Sequence, residues 1–233
     1  MLTIRQFRYS SDNLAYVIHG LREAVAVDGG ATEEILSYLS EKDLKLAVVT
    51  NTHEHPDHTP GNRQLLEKTD AVAVKPMDAA AKKQFEIENE TVRVYHTPGH
   101  SLDSVVFQVD SRIITGDTLF NGTVGNCFTG DLKAFHNSIK KLMMLPGETV
   151  VYSGHDYVTY SMAFARIVEP DNPDIDRYLK KYDPEHVFST LDDERRVNPY
   201  VRYNDPDMIK ILESRGLPVS TEYDRWESIM TLG

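Results

Sequence analysis

Residues Thr52 to His58, THEHPDH, hold three histidines and two acids within seven positions. No helix or strand needs such a run. Neutral imidazole and carboxylate are ligands for zinc, iron or manganese, and a first-row divalent ion needs several of them converging. A loop leaving the end of a buried strand can turn His53 and His55 to one ion. Asp57 and His58 can then face a second, with Glu54 and Pro56 pointing away. Pro56 also limits the freedom of the unfolded loop, which lowers the entropic cost of holding the ligands in place.

Partners for these groups lie elsewhere in the chain. His100 in TPGHS, Asp117 in GDTLF and His155 in SGHDY each sit where an apolar strand runs into a Gly-containing turn. That is where α/β folds project their chemistry. Asp117 has two oxygens and can bridge two ions. The arrangement is then His53, His55 and His100 on one metal, Asp57, His58 and His155 on the other, and Asp117 shared. The implied cofactor is a pair of divalent ions, zinc first, with iron or manganese as alternatives. A water bridging them would be acidified towards hydroxide, since metal coordination brings a water pKa to about 7. Asp57 would orient that nucleophile towards a carbonyl, with no role for Cys127. Asp28, in VAVDGG, is read as an acceptor behind a ligand histidine, because metal-bound imidazoles usually donate their other N–H. His19, His96, His136 and His186 are read as structural, with His136 solvent-facing or packed beside a helical stripe. Arg202 is read as an ion-pair anchor.

The elements that must carry these residues come in two blocks. LTIRQFRY, NLAYVIHG and EAVAVDGG read as three strands, followed by a helix with Thr32 as its N-cap. LKLAVVT is an apolar strand, PGNRQLLEKT a short helix and AVAV another buried strand. Consecutive strands then follow in FEIENETVRVYHT, SVVFQVD and RIITGDTLF. DLKAFHNSIKKLMML is a helix with Leu132, Phe135, Ile139, Leu142 and Met143 in one stripe, before the strand TVVYSG and a helix around YSMAFARIV. The strand run over residues 85–120 breaks the alternation that a doubly wound parallel sheet requires. An α/β arrangement of two facing sheets with helices outside accommodates the order. Residues 1–169 form the expected core, and residues 170–233, with their Pro- and Asp-punctuated short helices, a C-terminal extension packed on it.

Composition narrows the partners. The chain has 233 residues, 25 Lys+Arg against 36 Asp+Glu, and a formal charge of −11. No basic tract exists to neutralise a phosphate backbone, so nucleic acid is not expected as a partner. The N-terminus has no apolar h-region, no run is long enough to span a bilayer, and a single cysteine excludes an internal disulfide. A cytoplasmic protein without a membrane partner is the expectation.

THEHPDH, TPGHS, GDTLF and SGHDY, in this order and at these strand ends, resemble the metallo-β-lactamase superfamily. Within it they are most similar to glyoxalase II, the hydroxyacylglutathione hydrolase group, over residues from about 10 to 160. The segment STLDDERRVNPYVR also resembles the ST…E…NPF-R run of that group's helical C-terminal part. The resemblance implies a four-layer αββα sandwich with a dinuclear site between the sheets and hydrolysis of a small-molecule thioester. It also implies that His100 rather than His96 is the ligand, and that Tyr157 contacts substrate. Asn126 and Phe128 stand where that group commonly carries Lys and Tyr, and Arg225 lacks a companion Lys. The same fold and HxHxDH run also serve persulfide dioxygenases, which hold one iron by two His and an Asp, and a lactone or other ester would suit the same hydroxide. A zinc β-lactamase is disfavoured by Asp117, where the best-known type has Cys.

Overall fold

A computed structural model of the chain describes residues 1–232. Exposed and buried positions alternate at the start of β1 (Thr3–Tyr9), as an edge strand with one covered face requires. The apolar β2 (Asn13–His19) and β3 (Glu23–Val27) are buried almost throughout. These three run antiparallel, and β4 (Lys45–Thr50) and β5 (Val72–Val74) then add in parallel, giving a five-stranded sheet in sequence order. The parallel crossovers are made by α1 (Thr32–Glu41) and α2 (Asn62–Lys68).

After α3 (Pro76–Lys82) the chain forms the meander β6 (Gln84–Ile87), β7 (Glu90–His96), β8 (Val105–Val109) and β9 (Arg112–Gly116). Past α4 (Leu132–Met143), β10 (Val150–Ser153) joins β9 in parallel. The two-residue β11 (Ser189–Thr190) completes a six-stranded sheet of order β11-β10-β9-β8-β7-β6. Beyond β10 lie α5 (Val158–Val168), α6 (Asp174–Lys181), α7 (Leu191–Val197), α8 (Pro206–Ser214) and α9 (Glu222–Met230).

Three apolar clusters define four layers. Ile4, Tyr16, Ile18 and Val27 meet Val94, Phe107, Ile114 and Tyr152 between the sheets. Ala15, Val17 and Val49 bury the outer face of the first sheet against Ile35, Leu39 and Leu65. Val106, Ile113 and Val151 bury the outer face of the second against Phe135, Ile139, Leu142, Leu212 and Trp226. The result is the αββα sandwich, with α8 and α9 on the outer face of the second sheet, while Ile175 and Tyr178 of α6 join the cluster between the sheets. No helix among the described residues is long and apolar enough to cross a membrane.

Several local expectations are corrected. Thr32 does not cap α1; Ala31 occupies that position without a side-chain cap, and Thr32 is the first helical residue. AVAV is not a buried strand, because β5 lies at the sheet edge with Val72 60% exposed. FEIENETVRVYHT is two strands, turned at Glu88 and Asn89, which both take positive φ (50° and 67°). The helix α3 is an element beyond those expected, favoured by Pro76 at its first turn and three alanines.

Candidate metal centre

All seven candidate ligands converge at one end of the sandwich, on turns that leave β4, β7, β9 and β10. The turn after β4 is braced internally: the His58 N–H donates to the His55 carbonyl (3.0 Å) and the Asn51 side chain donates to the His58 carbonyl (2.6 Å). The Val105 N–H donates to the Thr52 carbonyl (2.8 Å), tying this turn to the second sheet. Two glycines are required here. Gly116 takes φ +49°, and a Cβ on it would meet Thr52 Oγ1 at 2.3 Å; one on Gly154 would meet Asp117 Oδ1 at 2.2 Å and His58 at 2.8 Å.

Three donor groups result, each with its ligand atoms within 4.8 Å of one another: His53, His55 and His100; His53, His58 and Asp117; Asp57, His58 and His155. His55 Nδ1 lies 2.9 Å from His53 Nε2 and 3.0 Å from His100 Nε2. On the other side, His58 Nε2 is 3.2 Å from His155 Nε2, and His155 Nε2 is 3.2 Å from Asp57 Oδ2. Asp117 stands between the groups, its Oδ2 3.5 Å from His100 Nε2 and 3.6 Å from His155 Nε2. Its Oδ1 is 3.3 Å from His58 Nε2 yet makes no hydrogen bond, a buried acceptor without a partner.

Four of the rings are held from behind. His58 Nδ1 is 3.1 Å from Asp28 Oδ2, His155 Nδ1 is 2.8 Å from Asp12 Oδ1, and His100 Nδ1 is 3.0 Å from the Asn126 carbonyl. His53 Nδ1 lies 3.1 Å from Thr52 Oγ1, whose own O–H donates to Asp28 (2.7 Å). Each Nδ1–H therefore donates outward and leaves Nε2 free to face the centre, the tautomer a metal ligand needs. Asp28 is fully buried at φ +52° and also accepts the Thr52 N–H (2.8 Å).

The electrostatics match a cation. Burial, with the nearby charge of His58, pushes His53 down to about 4. Burial also opposes charge on His58, but the Asp28 and Asp117 carboxylates overcome it and hold a proton there up to about 11. Burial would raise the Asp117 carboxyl, yet the close His58 imidazole, with the charges of His155 and His53, carries it well below its usual range. A buried carboxylate that recruits positive charge, among imidazoles aimed inward, fits divalent ions replacing that charge.

Tyr157, at the N-terminus of α5, stacks on His155 with ring centroids 5.0 Å apart at 8°, and burial raises its hydroxyl to about 12. Phe128, 67% exposed, sits edge-on to His55 (5.9 Å) and His100 (5.2 Å). His96 is not brought in; its Nε2 turns to the Leu102 carbonyl (2.8 Å). His19 pairs with the Gly20 carbonyl and Tyr38, His136 packs on Trp226, and His186 lies against Tyr152 and Phe188. Asp12, Asn13, Thr52 and the Asn126 carbonyl escaped the sequence reading. Asp12 and Asn13 sit in SSDN, which reads only as a turn, and a carbonyl carries no side-chain signal.

The model of the metallo-beta-lactamase superfamily matches residues 11–91 and 80–155. The chain belongs to this superfamily. The model described as hydroxyacylglutathione hydrolase C-terminus matches residues 156–229. Within the superfamily the chain is similar to the hydroxyacylglutathione hydrolase of Pseudoalteromonas translucida, at 30% identity over 100% of this chain and 97% of that one. It is also similar to that of Vibrio cholerae, at 32% over 92% of each. Among solved structures, ETHE1 from Myxococcus xanthus superposes with a TM-score of 0.68 at 26% identity, covering 97% of this chain and 99% of that one. The superfamily fold and the glyoxalase II-like relatives make this chain an enzyme, a hydrolase of that type.

Proposed function

We propose that the chain is a dinuclear metal-dependent thioester hydrolase. The observation that carries this is Asp117, placed between the two donor groups with Oδ2 about as near to His100 as to His155 and Oδ1, beside His58, unpartnered. His53, His55 and His100 would hold one ion, Asp57, His58 and His155 the other, and Asp117 both. Two divalent ions there supply an acidified water and a Lewis acid for the carbonyl oxygen. The chain's residues do the rest. Asp28, Asp12 and the Asn126 carbonyl keep the rings oriented. Asp57, half exposed and fixed by the Asn13 side chain (3.2 Å) and by Tyr9 on its carbonyl (2.7 Å), orients the nucleophile. Tyr157 keeps its proton at neutral pH and offers a hydroxyl to the substrate.

The leaving thiol is less constrained than in a dedicated glutathione enzyme. Arg225 is engaged by Asn204 and the Val219 carbonyl, and Arg202 by Glu169 at 2.9 and 3.0 Å. Asn126 and Phe128 add no charge at the site. The substrate class is acyl thioesters, with S-2-hydroxyacylglutathione as one member. A mononuclear iron dioxygenase would need only two His and an Asp, leaving the other donors without a role. Residues 1–169 act as the catalytic core and residues 170–233 as its brace, in a reducing compartment such as the cytoplasm. The test is a panel of acyl thioesters and lactones, run beside oxygen uptake on a persulfide. Chelator-sensitive thioester hydrolysis without oxygen uptake is expected; oxygen uptake alone would refute the assignment.

A further inference from the structure

A cavity of about 140 Å3 lies between the sheets at their open edge, lined by none of the candidate metal ligands. Val25, Val48 and Val74 wall it from the first sheet and Phe85 and Ile87 from the second, with Thr50 also on the lining. A register shift in the β3–β4 pairing leaves Ala47 as an extra residue opposite Ala24 and Val25, a bulge that opens space beside these walls. Thr50 is 1% exposed, and its Oγ1 has no hydrogen-bond partner. A buried hydroxyl is ordinarily satisfied, so one left orphaned on a cavity wall calls for a partner from outside the chain.

We propose that this cavity binds a neutral molecule the size of a single six-membered ring, carrying one hydroxyl or carbonyl that pairs with Thr50 Oγ1. The size follows from the volume, since an apolar cavity of about 150 Å3 is known to accept benzene. Neutrality follows from the surroundings. The walls are aliphatic and aromatic, where an ion is costly to bury. The exposed polar residues on the lining are Glu23, Glu86 and Lys82, two carboxylates against one ammonium, which favour no anion. Water is a poor occupant, because in the apolar part Thr50 Oγ1 is its only side-chain partner where two to four are needed.

The test uses phenol and benzene as probes, titrated into the full-length, metal-loaded protein and followed by the amide resonances of Val25, Val48 and Val74. Saturable phenol binding is expected, with the ring found in the cavity of a phenol-soaked crystal and its oxygen on Thr50. Thr50→Val keeps the shape and removes the hydroxyl. It should weaken phenol about five- to tenfold, the worth of one hydrogen bond, and leave benzene unchanged or tighter. Ala79→Leu, which fills the cavity from α3, should abolish both without lowering the melting temperature. No saturable binding up to the solubility limit overturns the proposal. So do an ordered water alone on Thr50 in soaked crystals, binding at crystal concentration only, and equal phenol affinity in wild type and Thr50→Val. None of these readouts depends on hydrolysis, so the outcome is independent of the reaction assigned to the metal centre.

Discussion

His96 and His100 flank the turn Thr97-Pro98-Gly99, and only His100 reaches the centre. His100→Ala should therefore lower the metal content of purified protein, while His96→Ala, which loses one hydrogen bond to the Leu102 carbonyl, should leave it unchanged. Equal loss in both would show the wrong ring assigned. Behind the candidate ligands, Asp28 orients His58 and fixes Thr52 through three contacts. Asp28→Asn keeps the volume but presents an N–H2 where an acceptor is required, and metal affinity should fall about 10–100-fold in a competitive chelator titration. At this scale the sequence was most legible where several donors crowd together, as in THEHPDH, or stand at the glycine turns of TPGHS and SGHDY. Asp12 was not legible, because its role depends on a hydrogen bond to His155, 143 residues away.

Between elements, Glu194 joins the C-terminal helices to the segment that follows Asp117. It lies wholly buried on α7, and its Oε2 accepts the Gly122 N–H (2.9 Å) and the Asn198 side chain (2.8 Å), while Oε1 accepts the Tyr178 hydroxyl (3.1 Å). Its burial, which no ion pair among the described residues offsets, raises its carboxyl to about 7. The folded value lies above the unfolded one, so between pH 4.5 and about 7 the unfolded chain gives up this proton first. This group's contribution to stability therefore declines across that window, by up to about 3 kcal/mol at 1.36 kcal/mol per unit. Glu194→Gln should remove the decline, so the difference in melting temperature between variant and wild type should change with pH across the window and level off outside it. A pH-independent difference would contradict the assignment. Elements were legible where apolar period and turn residues agreed, and β2, β4, β8 and α4 follow their patterns. They were obscured where tertiary context decides. The hairpin of β6 and β7 turns on two non-glycine residues at positive φ, and β5 is apolar yet lies at an edge.

For the whole molecule, the formal charge of −11 and the engagement of Arg202 and Arg225 by neighbouring groups lead to the expectation that an anionic carrier is held weakly. A charge-assisted hydrogen bond to a carboxylate is worth roughly 1.5–3 kcal/mol, so one missing contact should raise the Michaelis constant about tenfold or more. We expect a high constant for S-lactoylglutathione and little discrimination against analogues lacking the glycine carboxylate. Asn126→Lys with Phe128→Tyr should lower it with little change in turnover, whereas a wild-type enzyme already strongly selective for the carboxylate would show that another cation supplies the contact. The four-layer architecture was itself legible, because strand runs interrupted by helices leave few ways to cover two sheets. The covering of the second sheet by the C-terminal helices was legible only as an appendage, since their apolar contacts, such as Trp226 on Phe135, are distant in sequence. The central claim is the shared aspartate. Elemental analysis of fully loaded wild type and Asp117→Asn, each assayed for thioester hydrolysis, tests it most directly. Two metal equivalents with activity in the wild type, falling towards one with hydrolysis lost in the variant, are expected; a single equivalent of iron in the wild type would contradict the dinuclear hydrolase.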